Sequence, residues 1–140
     1  MDIEQEIKLQ EITQIICDYF NVTKEDLMAP SRKNEHVIPR TFIFRIMRDM
    51  YGKNISLKTL GAVFNRDHAT VLNAIKKNEE LLETNTKYRL KYAEFMTILS
   101  EKDRTVYKLK EEIQKALQMD TINEISKHLS NLLQTNSSCM

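Results

Sequence analysis

"SLKTLGAVFNRDHATVLNAIKK", residues Ser56–Lys77, decides how this chain is read. Two amphipathic stretches meet there with almost nothing between them. Leu57, Leu60, Val63 and Phe64 recur at helical spacing. Only Asn65 and Arg66 then precede Asp67 and a second inward stripe of Val71, Leu72, Ile75 and Leu82. Asp67 stands where a helix N-cap belongs. Gly61 removes a side chain where the second helix must cross the first closely. Two helices on so tight a turn, the second opening with polar residues, describe a helix-turn-helix. Helical hairpins of other kinds share this pattern.

Around that core the chain reads as all-α. Glycine and proline number two each, too few for the turns a sheet requires. Ile3, Ile7, Ile12, Ile15, Ile16, Tyr19 and Phe20 supply the stripe of a first helix. Thr23 and Asp26 form a capping-box pattern for a short helical turn. "APSRKNEHVIPR" (29–40) reads as a loop, with Pro39 opening the next helix, because its fixed φ suits a first-turn position. Phe42, Ile43, Ile46, Met47 and Met50 carry that helix to a break at Gly52 and Asn54. Helical periodicity resumes after "ETNTK" and is interrupted by "EKDRT" (101–105). A last helix follows the Thr121–Glu124 capping box, with a disordered tail over 135–140.

A net charge of +1 conceals an asymmetry. Residues 1–23 carry −4, residues 24–77 carry +6 and residues 78–140 carry −1. Local potential, not net charge, makes a face that attracts anions. No apolar run reaches the roughly 20 residues of a membrane span, and the acidic N-terminus lacks a signal-peptide pattern. Cys17 and Cys139 have no spaced partner, which fits a reduced, cytoplasmic protein.

Catalysis and metal binding find little support. No phosphate-cradling glycine loop exists, no HExxH occurs, and the three histidines are scattered. Asp67 and His68 are adjacent, so on a helix they point about 100° apart and cannot form an acid–base dyad alone. Neither an enzyme nor a cofactor or metal site is expected. A DNA reading uses the same residues more fully. Asp67 can accept from cytosine N4, His68 can donate to a base acceptor, and Ala69 can touch a thymine methyl. Arg66, Thr70, Asn73, Lys76 and Lys77 can hold phosphates beside them. Arg32 and Lys33 form a basic arm suited to the minor groove. Each has a plainer alternative: a cap for Asp67, a surface imidazole for His68, a solvated turn for the arm.

The same stretch, with "YFNVTKEDLM" and "PR" upstream, resembles the C-terminal DNA-binding domain of DnaA, the bacterial chromosomal replication initiator. The similarity covers residues 8–95. It implies a Trp-repressor-like helical bundle (1–95) that recognises short boxes in double-stranded DNA; the C-terminal helical extension (96–134) that the periodicity predicts has no match in the family. It implies that Asp67, His68 and Ala69 read the major groove and Arg32 the minor groove. Lys33, Arg40, Arg48, Lys58, Arg66, Thr70, Asn73 and Lys77 are expected at or near the DNA backbone. The sequence also departs from the family. Ala69 stands where Ser or Thr is usual, Leu60 replaces Ile, and Asn34, Glu35 and Ile38 thin out an arginine-rich loop. These changes point to weaker affinity or a variant box. The expected chain lacks the family's ATPase domain, and its C-terminal helices serve the core, a homodimer or a protein partner. The competing function is a helical adaptor or transcription regulator on the same scaffold.

Overall fold

A computed structural model describes residues 1–117, 127 and 129–132. Every element among them is helical: α1 (Ile3–Phe20), α2 (Lys24–Met28), α3 (Asn34–Tyr51), a 3-10 turn (Gly52–Asn54), α4 (Leu57–Val63), α5 (His68–Thr84) and α6 (Thr86–Leu117). The chain divides into two compact units, Met1–Leu99 and Ser100–Met140.

The first unit is built around α3, whose Phe42, Ile43, Phe44, Ile46 and Met47 are all buried. A helix apolar on so much of its circumference must be covered on several sides. α1, α2, α5 and the 3-10 turn provide that cover. Phe42 forms the aromatic centre, with ring centroids of Phe20, Tyr88 and Tyr92 at 5.3, 5.5 and 4.9 Å, all edge-on. That geometry sets each ring's positive edge against a negative face.

α1 is closed by a reciprocal box in which Gln5 N–H donates to Asp2 Oδ1 at 2.8 Å and Asp2 N–H to Gln5 Oε1 at 3.2 Å. Its buried residues are Gln5, Leu9, Ile12, Thr13 and Ile16. Ile3 and Ile7, expected inside, are 75% and 52% exposed. Nine residues separate Ile3 from Ile12, two and a half helical turns, so the two side chains point to opposite sides. The α2 capping box holds, with Asp26 N–H donating to Thr23 Oγ1 at 3.1 Å.

Two boundaries differ from the sequence reading. The loop expected over 29–40 is short, because α3 already begins at Asn34 and Pro39 lies inside it. Proline there leaves one carbonyl without its helical donor, yet its ring is buried, and Val37 and Ile38 beside it are half-buried. α6 runs unbroken through Glu101–Thr105. None of those five residues breaks a helix, and Glu, Lys and Arg favour one. The polar run marks the end of burial: Leu99 is buried, and from Ser100 to Leu117 only Ala116 is even half-covered. The Thr121–Glu124 box and the 135–140 tail lie outside the described residues.

Candidate nucleic-acid interface

The turn between α4 and α5 is specified residue by residue. Ser56 caps α4, accepting from Thr59 N–H at 3.0 Å. At its other end the Gly61 carbonyl accepts from the N–H of both Phe64, at 3.0 Å, and Arg66, at 2.8 Å. Asn65 completes the reversal with φ +57°, a left-handed conformation that asparagine tolerates better than most residues. A Cβ on Gly61 would stand 2.5 Å from the Arg66 carbonyl oxygen and 2.8 Å from Val71 Cγ2. Glycine is required by that close approach.

Asp67 then caps α5, its Oδ1 accepting from Thr70 N–H at 2.8 Å. The hydrogen bonds from Thr70 hold its carboxyl below the usual carboxylate range, with His68 adding a smaller effect. Val71 and Ile75 anchor α5 in the core. His68, Ala69, Leu72, Asn73 and Lys76 of α5 are exposed to solvent. Leu72, read from the sequence as inward, is 39% exposed, on the flank of α5 about 100° from Val71 and 60° from Ile75. An apolar residue there is missed by periodicity, since Val71, Leu72 and Ile75 look like one stripe. Further along, Glu79, Glu80 and Glu83 make α5 acidic, so only its first turns suit a phosphate chain.

The basic loop is tied to this turn. Arg66 Nη2 donates to the Ala29 carbonyl at 2.6 Å, and its Nη1 to Phe64 at 2.8 Å. Asn65 Nδ2 donates to the Met28 carbonyl at 3.2 Å. From the other side, Arg40 gives Nη1 to the Leu27 carbonyl at 3.0 Å and Nη2 to Ser31 at 2.7 Å. Arg32 and Lys33 are thus exposed on a buttressed loop, and not on a free arm.

The remaining expected residues fall into different places. Arg40 is only 5% exposed, and its guanidinium is spent on the loop's carbonyls. Its geometry gives it an internal role where a phosphate contact was expected. Burial, with Arg66 nearby, pulls its pKa down to about 10, so it stays charged at neutral pH. Arg48 is half-buried and donates to the Ile55 carbonyl at 2.8 Å, holding the 3-10 turn. Lys58 is exposed on α4. Thr70 joins Arg32, Arg40 and Arg66 around an open hollow of about 390 Å³. Lys77 lies off the reading side, over a second hollow of about 310 Å³ beside Asn34, Asn78 and Tyr88. No three His, Cys, Asp or Glu among the described residues come together to hold a metal. No described helix is long and apolar enough to cross a membrane.

Comparison with known proteins agrees with this geometry. The family described as Bacterial dnaA protein helix-turn-helix matches residues 9–77. Chromosomal replication initiator protein DnaA of Chlorobaculum tepidum is 33% identical over 91 residues, 64% of this chain and 18% of that protein. The DnaA protein of Brucella abortus is 37% identical over 82 residues, 58% of this chain and 16% of its own length. That of Acholeplasma laidlawii is 37% identical over 81 residues, 56% and 18%. The chain therefore spans less than a fifth of these relatives. From Leu9 in α1 to Lys77 in α5, the polypeptide belongs to the DnaA-type helix-turn-helix family, a DNA-binding domain.

Proposed function

We propose that this protein binds double-stranded DNA sequence-specifically, at boxes of the DnaA type, in replication initiation or its regulation at the bacterial nucleoid. The observation that carries this reading is the exposed face of the first turns of α5, set beside a basic loop pinned to the same turn. His68 and Asp67 read base edges, and Ala69 and Leu72 meet thymine methyls. Arg32 enters the minor groove, while Lys33, Lys58, Arg48, Asn73 and Lys76 face phosphates. No chemical step is assigned to these residues. The domain binds.

Titrating a labelled duplex carrying such a box, and a scrambled duplex, at several salt concentrations tests this. The box is expected to bind more tightly, with a log–log salt slope of about −0.9 per neutralised phosphate. Equal affinity for both duplexes would overturn the specificity.

A further inference from the structure

Asn78 is fully buried in α5, yet only half of its amide is satisfied. Its Nδ2 donates to Tyr88 Oη at 2.7 Å, and its Oδ1 has no partner among the described residues. A buried amide left so is costly unless something outside the chain completes it. Turning the amide over changes only the roles: Oδ1 then accepts from Tyr88, and Nδ2 is left over. In either orientation the pair offers one donor beside one acceptor. The Tyr88 hydroxyl keeps its proton, since burial raises it above its ordinary value.

Both residues line the hollow of about 310 Å³ between α3, α5 and the first turn of α6. Val37, Ile38 and Leu81 wall it with half-buried apolar side chains, which suits a flat ring. Asn34 and Lys77 stand exposed at its rim. Asn34 opens α3, and the N-cap Lys33 provides no side-chain acceptor for the first N–H groups of that helix. An uncapped N-terminus beside a lysine attracts an anion. Among the described residues no Asp or Glu lines the hollow, so a ligand ammonium would meet no counterion.

A ring whose edge carries a donor beside an acceptor, with an anionic group attached, matches these features together. Each nucleobase carries such an edge on its Watson–Crick side, open when the base is unpaired. In a duplex that edge is taken, so the ligand is a free nucleotide. The volume is at the small end of ligand sites, with room for one nucleotide. We propose that this hollow binds a nucleoside monophosphate, its base edge on Asn78 and Tyr88 and its phosphate at Lys77 and the start of α3.

Amide NMR of the full chain titrated with adenylate, guanylate, cytidylate and uridylate in turn, without DNA, tests this apart from the DNA reading. At least one is expected to shift Val37, Ile38, Leu81 and the Asn78 side-chain amide saturably. Ribose phosphate, lacking the base, and the matching nucleoside, lacking the phosphate, should each bind roughly tenfold more weakly. Asn78→Leu, which fills the space without an orphaned group, and Tyr88→Phe should each weaken binding roughly fivefold. Lys77→Gln should weaken it roughly threefold. Circular dichroism checks that each variant keeps its helix content; if Asn78→Leu loses it, Tyr88→Phe carries the comparison. No saturable shift with any of the four nucleotides overturns the proposal, as does ribose phosphate binding as tightly as a nucleotide. Binding that Asn78→Leu and Tyr88→Phe both leave unchanged overturns it too.

Discussion

A Cβ on Gly61 would stand 2.5 Å from the carbonyl oxygen of Arg66, inside any tolerable separation. That oxygen belongs to the two-residue turn between α4 and α5, and Arg66 N–H is itself bonded to the Gly61 carbonyl at 2.8 Å. Neither group can retreat without opening the turn. Gly61→Ala should therefore destabilise the first unit by about 3 kcal/mol, the upper range for overpacking, measured by urea unfolding. A change under about 0.5 kcal/mol, typical of an ordinary surface site, would show that the turn yields freely.

Arg40 offers a sharper separation of roles. Its guanidinium satisfies the Leu27 and Ser31 carbonyls at 3.0 and 2.7 Å. Arg40→Ala should cost about 2–4 kcal/mol in unfolding, since charge-assisted bonds are lost and two acceptors lose their donors. Binding should weaken alongside, because Arg32 loses its support. The salt slope of the remaining binding should stay as in the wild type. A slope smaller by about 0.9 would instead mark Arg40 as a direct phosphate contact.

The same residue shows where the sequence could and could not be read. Gly61, Asp67 and the two-residue turn were legible because their requirements are local: a close approach, a cap, a break in periodicity. The internal bonds of Arg40 were not legible, because its acceptors lie nine and thirteen residues away and a charged side chain ordinarily goes outside. Pro39 was read as a helix start since nothing local reveals that α3 already began at Asn34. Leu72 joined the core stripe because apolar periodicity cannot tell a buried leucine from a partly exposed one beside it.

Leu72 and its neighbour Val71 should accordingly behave as opposites. Val71 is fully buried, and Val71→Ala should cost about 2 kcal/mol of stability. Leu72 is 39% exposed, so Leu72→Ala should change stability by less than about 1 kcal/mol. Its effect should fall on DNA, reducing preference for a thymine-containing box. Matched unfolding and binding titrations decide between them. A large stability loss for Leu72→Ala with unchanged box preference would return it to the core.

His68 and Lys33 separate base reading from phosphate holding. His68→Ala should lower discrimination between box and scrambled duplex by about 1–3 kcal/mol. Lys33→Ala should weaken both duplexes alike and reduce the salt slope by about one. If both substitutions act equally on every duplex, α5 is not the element that reads sequence.

Asp67 adds a dependence on pH whose sign follows from its cap. Its carboxyl is held below its ordinary value of 3.8 by bonds from Thr70 that the unfolded chain lacks. The unfolded state therefore takes up the proton first, and stability falls as pH drops. The cap's contribution is complete above the ordinary value and is lost as pH descends through the lowered one. The Thr70 amide resonance should report this, titrating with a midpoint below 3.8 in the wild type. Asp67→Asn keeps a side-chain acceptor but carries no titrating group, so the local change should vanish from the Thr70 amide. A Thr70 midpoint at or above 3.8 in the wild type would mean that the first turn of α5 does not draw on this carboxylate.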